Sequence, residues 1–140
     1  MTKTKLKPTY SRACLTHEED GRASLYVPDS NVVFFYFDDK LTSVTRSAEG
    51  IDNVRDYILR NVAKTKNVVV YRRSIDDMLE TEAELYKIER QLSQQENSKK
   101  KTKALGLRKR LEKKGNKVLD VVYRNIAELV ADEKNLPFLK

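Results

Sequence analysis

The chain has 140 residues and a formal net charge of +7 at pH 7, with 35% charged and 39% hydrophobic residues. That is the size of one ordinary domain with at most an appendage, and it is wetter than the average globular protein without reaching the composition of a disordered chain. The charge attracts polyanions (RNA, DNA or an acidic protein surface) and carries no information about fold. A single cysteine, Cys14, excludes an internal disulfide and fits a reducing compartment, so the expected location is the cytoplasm. The longest apolar run, Val32 to Phe37, is too short for a membrane span, and Met1-Thr2-Lys3 leads into no signal-peptide-like stretch, so no membrane partner is expected.

Residues 1–20 open with Lys3, Lys5, Lys7 and Arg12, turn acidic at Glu18, Glu19 and Asp20, and show little apolar periodicity. They are expected to form a flexible basic tail, with at most a short strand near Ala13 to Thr16. Residues 21–73 are expected to form the core. Leu25 and Val27 alternate with Ser24 and Tyr26, Pro28-Asp29-Ser30 supplies a turn, and Val32 to Phe37 predicts a central strand covered on both faces. Asp38-Asp39-Lys40 predicts a tight turn, and Leu41 to Thr45 a third strand, completing a three-stranded meander. Ile51, Val54, Ile58 and Val62 repeat at helical spacing, and Val68 to Tyr71 predicts a fourth strand. The helical crossover before that strand implies that it lies parallel to a neighbour.

A helical hairpin is expected over residues 74–133, followed by a tail at 134–140 in which Leu136, Phe138 and Leu139 can fold back on the core. Ser74 has the place of a helix cap, with Asp76 and Asp77 complementing the positive end of the dipole. Ile75, Met78, Leu79, Leu85, Tyr86 and Leu92 form one apolar stripe; Leu107, Leu111, Val118, Val122 and Leu129 form a second, with a polar bend between them at Gln94 to Ser98. Gly115-Asn116 is a common helix stop, yet the stripe keeps its phase across it, which favours one helix with room for a kink at Gly115. The expected fold class is therefore α+β: a small sheet of meander, helix and fourth strand, then a long antiparallel helical hairpin.

Between Lys99 and Lys117 ten Lys or Arg residues face a single acid, Glu112. At 100° per residue Lys99, Lys103, Arg110, Lys113, Lys114 and Lys117 project to one side, a line of cations about 27 Å long that can follow phosphates. Arg72 and Arg73, emerging at a strand end, are expected as secondary contacts. Charge runs are also commonly solvated faces neutralised by a neighbouring helix. Here only Glu82, Glu89 and Glu96 are expected to pair across the hairpin, because Asp76, Asp77, Glu80 and Glu84 should point away from it.

The predicted order β-β-β-α-β-α resembles the ribonuclease H-like topology over about Arg22 to Leu92, in element order only. That resemblance implies a metal site on carboxylates at strand ends. Here the strand Arg22 to Val27 has no acid and the fourth strand ends in Arg72-Arg73, so no nuclease is expected. His17 with Glu18, Glu19 and Asp20 is a weak metal signal, no second histidine is present to act as base or ligand, and the four glycines form no phosphate loop. The expectation is a non-enzymatic protein without cofactor or metal that contacts nucleic acid through the basic helix. The alternative is a small accessory protein that modulates a larger machine, such as RNA polymerase, through the hairpin. Homodimerisation through Met78, Leu85, Ile88 and Leu92 is compatible with either.

Overall fold

A computed structural model describes residues 9–94 and 97–124. The first strand, β1 (Tyr10–His17), contains and extends the short strand expected near Ala13 to Thr16 and replaces much of the expected tail, of which residues 1–8 fall outside the described chain. Its pattern is unreadable by hydrophobicity because both faces are buried by small or polar side chains. Ser11, Ala13 and Leu15 face one side, and Cys14 and Thr16 the other. The buried polar groups are satisfied across the sheet: Thr16 and Thr65 share a hydroxyl hydrogen bond of 2.9 Å, and the Cys14 thiol donates to Asn67 Oδ1 at 3.6 Å.

β2 (Arg22–Val27) follows a turn in which Gly21 takes φ +99°, a conformation that favours glycine. β3 (Val32–Phe37) and β4 (Lys40–Thr45) are joined through Asp38 and Asp39, both with positive φ, as a two-residue hairpin of the primed type requires. The helix α1 (Ala48–Arg60) is capped by the Ser47 hydroxyl, which accepts from the Gly50 amide at 3.1 Å. It buries Ile51 and Ile58, whereas Val62, expected on the same stripe, lies beyond it in a short turn and is exposed. β5 (Thr65–Tyr71) completes a five-stranded sheet in the order β4-β3-β2-β1-β5.

Every neighbouring pair is antiparallel. The expected parallel pairing of the last strand is thus corrected: α1 carries the chain across the whole sheet, and β5 pairs antiparallel with β1, which lies outside the expected four-stranded core of residues 21–73. With β1 in place the order no longer follows the ribonuclease H-like succession.

Two cores lie on opposite faces. α1 covers Cys14, Tyr26 and Val33 with its own Ile51 and Ile58. The larger core joins Leu25, Phe34, Tyr36 and Val68 to the hairpin formed by α2 (Arg72–Gln94) and α3 (Ser98–Arg124). β3 is accordingly covered on both sides, and of its aromatic rings only that of Phe37 is well exposed. The fold is α+β with a long helix pair after the sheet. The pairs Arg108–Glu89 and Lys114–Asp77 show that the two helices run antiparallel. Met78, Leu85 and Ile88, offered above as a dimer seam with Leu92, are consumed in packing inside this core.

α2 begins at Arg72, not at Ser74, because tertiary structure supplies its first partner: the Arg72 amide donates to the Thr9 carbonyl at 2.9 Å. α3 runs unbroken through Gly115. A Cβ there would lie 2.6 Å from Leu41 Cδ2 and 3.0 Å from Met78 Cε, so the glycine permits close approach and does not end the helix. The Tyr36 hydroxyl donates to the Gly115 carbonyl at 2.9 Å, and Asn116 Oδ1 accepts from the Leu41 amide at 2.7 Å. These contacts fix the inner half of α3 against the β3-β4 hairpin. The expected continuation through Leu129 and the 134–140 tail lie outside the described residues.

Candidate nucleic-acid interface

With α3 fixed by Gly115 and Asn116, its cationic side overlooks β5, the outermost strand at that side of the sheet. A half-open groove of about 480 Å³ lies between them. Arg110, Lys113, Lys114 and Lys117 stand along it, and Val121 supplies apolar surface between them, with Val118 and Val122 beneath it nearly or fully buried. Its remaining lining comes from the end of β5 and the start of α2: Val69, Val70, Tyr71, Ser74 and Asp77.

The cations fall into two populations. Lys114 is half-buried and engaged, its Nζ 3.1 Å from Asp77 Oδ1 and donating to the Thr81 hydroxyl at 2.9 Å. Arg108, on the opposite flank, pairs with Glu89. Arg110, Lys113 and Lys117 are exposed and make no ion pair within 4 Å among the described residues. The same holds for Lys99 and Lys103. They lie seven or more residues before Arg110, about 10 Å or more along the helix axis, and do not reach the groove.

Asp77 therefore corrects the expectation that it points away, because the antiparallel approach of α3 brings Lys114 to it. Glu82, expected to pair across the hairpin, does not. One of its carboxylate oxygens is buried without a partner, and burial raises its pKa while Arg46 pulls it partway back. Glu96 lies outside the described residues.

Arg72 is largely occupied: its guanidinium reaches Asp29 at 3.2 Å and Ser11 Oγ at 3.2 Å, tying α2 to the sheet. Arg73 is exposed. The first turn of α2 contains no acid, so Arg72 and Arg73 stand at the positive end of a helix dipole. Such an arrangement favours an anion nearby.

Sequence reasoning missed the floor. Val121 was the available signal: it continues the phase of Lys103, Arg110 and Lys117 on the cationic side of α3, outside the apolar stripe. Tyr71, at the strand end already singled out with Arg72 and Arg73, borders the groove, while its ring packs against that of its cross-strand partner Tyr10, on the face away from α3, at a centroid distance of 4.9 Å. Hydrogen bonding to Tyr71 holds the Tyr10 hydroxyl above its usual pKa.

Elsewhere the chemistry is quiet. Burial pushes the Cys14 thiol up to about 12, which leaves it un-ionised and a poor nucleophile at neutral pH. Glu18, from the weak metal cluster, instead pairs with Lys64 at 3.0 Å, and no group of three His, Cys, Asp or Glu side chains suited to a metal occurs among the described residues. No helix among them is long and apolar enough to cross a membrane. Comparison with protein families, with curated proteins and with solved structures finds no match to this chain.

Proposed function

We propose that this is a non-enzymatic nucleic-acid-binding protein whose phosphate-contacting surface is the inner half of α3, with Arg110, Lys113 and Lys117 as the principal contacts. The observation that carries the reading is that these three cations line one groove without a carboxylate partner among the described residues, while Asp77 is committed to Lys114. Exposed cations beside an apolar wall keep more of their field than cations surrounded by water, and phosphate contacts of this kind confer affinity without reading sequence. Lys99, Lys103 and Arg73 extend the positive field around the groove.

Fluorescence anisotropy with a labelled oligonucleotide at several salt concentrations tests the reading. Three phosphate contacts predict a slope of log affinity against log salt of about −2 for a single strand. A flat salt dependence, or no binding at low salt, would reject it.

A second reading rests on a different observation: Tyr86 and Leu105 are 61% and 53% exposed on the outer half of the hairpin, where neither contributes to the core. Exposed apolar surface marks a protein contact where it forms a contiguous patch. On that reading the hairpin is a docking arm for a larger protein machine, and replacing both residues by Ala should release a partner that survives nuclease treatment.

A further inference from the structure

We infer that the open edge of β5 receives an extended acidic segment of a partner protein, which adds a strand to the five-stranded sheet and lays its carboxylates against α3. Side chains alternate faces along β5. Val68 and Val70 turn into the core beneath the hairpin, so Val69 and Tyr71 turn to the α1 face. What Val69 to Tyr71 present to the groove is therefore their backbone, and the cations Arg110, Lys113 and Lys117 line the same groove from α3.

The two edges of the sheet differ. At β4 the register with β3 shifts beside Phe35 and Tyr36, and Asn116 Oδ1 accepts from the Leu41 amide. Irregularity and occupied backbone groups both discourage a further strand. β5 has no such shift: all seven of its residues pair with β1 in continuous register, it contains no proline, and no strand lies beyond it among the described residues. The outward edge of a strand offers amides and carbonyls alike, and another extended backbone supplies partners for both at the same spacing. Phosphate oxygens only accept, so a nucleic-acid backbone leaves the carbonyls unsatisfied.

Charge selects the segment. Arg110, Lys113 and Lys117 make no ion pair within 4 Å among the described residues, and Lys66 is exposed on the hairpin face by alternation with Val68. From Arg110 to Lys117 the cations extend about 10 Å along the helix, and side chains two apart on a strand lie about 7 Å apart, so two alternate carboxylates match them. On the α1 face the incoming strand lies beside Val69 and Tyr71, the latter 37% exposed with Tyr10 44% exposed against it, and apolar side chains there would cover them. The fitting sequence alternates acidic with apolar residues. A second copy of this chain is disfavoured, because antiparallel pairing of two β5 edges brings two sets of these cations together on chains of net charge +7 each. The carboxylates take the cations assigned above to phosphates, so bound peptide and bound oligonucleotide exclude one another.

Anisotropy with a fluorescein-labelled peptide of about ten residues, alternating Glu and Val, tests the inference. Lys113→Ala with Lys117→Ala should weaken its binding about fivefold. Backbone methylation separates strand addition from attraction alone: methylating the amides of the Glu residues blocks one edge of the peptide, and methylating those of the Val residues blocks the other. One of these two peptides should bind at least about tenfold more weakly, and the other nearly as well as the parent. On the unmodified protein, the outward amides of β5 should exchange at least about tenfold more slowly when the peptide is bound. Equal binding by both methylated peptides, or unchanged exchange in β5, would overturn the inference. So would slow exchange of those amides in a peptide-free dimer, which makes the second copy the occupant. Oligonucleotide binding without capture of the peptide removes this inference and leaves the phosphate reading in place; capture of the peptide at β5 without oligonucleotide binding does the reverse.

Discussion

The outer half of the hairpin and its base carry similar charge in different surroundings. In the outer half Leu85, Ile88, Ala104 and Leu107 form the helix-helix core, Arg108 pairs with Glu89, and Lys99 and Lys103 extend into water. At the base, α3 is held to β3 and β4 through Gly115 and Asn116, and its cations stand around Val121 beside the edge of β5. Salt screens an exposed charge within about 8–10 Å, and a low-dielectric wall weakens that screening on one side. A run of lysines therefore becomes a site where the fold gives it a second wall, and remains a solvated face where it does not.

The most severe way to break the comparison is charge reversal in each half. Lys113→Glu with Lys117→Glu should lower oligonucleotide affinity about 100-fold, or about 3 kcal/mol, whereas Lys99→Glu with Lys103→Glu should lower it less than about tenfold. Equal losses measured by anisotropy would show that the groove has no privileged role.

A second experiment loosens the base without touching charge. Gly115→Ala gains up to about 1 kcal/mol of helix propensity, but its methyl would enter space held by Leu41 and Met78, where overpacking costs about 1–3 kcal/mol. The expected result is a net loss of about 1–2 kcal/mol in urea denaturation. An increase in stability would mean that α3 is not tightly docked on β4.

The smallest effect concerns Glu82, on α2 between the two halves. Burial raises its pKa, so the folded chain holds this proton more tightly than the unfolded one. That contribution to stability is complete below the ordinary value of 4.5 and fades as the pH rises through the raised one. Glu82→Gln, neutral throughout, should flatten the decline and add roughly 0.5 kcal/mol near neutral pH. A loss of stability there would instead reveal a sustaining ion pair, with Arg46 the nearest candidate.

Much of this was legible in residue order. The β-branched and aromatic run of β3, the Asp38-Asp39 turn, the spacing of Ile51 and Ile58, and the described parts of the two hairpin stripes, except for Tyr86, which is exposed, each follow from local periodicity and turn chemistry. β1 was only partly visible because Ser11 and Thr16 look hydrophilic until Arg72 of α2 and Thr65 of β5 satisfy them. The candidate site was half visible: its cations could be placed on one helical face, but nothing local told Lys117, which lines the groove, from Lys99, which does not.

By itself the sequence determined the α+β composition, the phase of the basic face and the continuity of the stripe through Gly115, because helix and strand periods are written in neighbouring residues. Only the tertiary structure decided that β5 lies beside β1, that Lys114 is neutralised by Asp77 and that Val121 faces the end of β5. Those facts depend on where α1 carries the chain and how closely Gly115 lets α3 approach the sheet, distances between segments that no local pattern encodes.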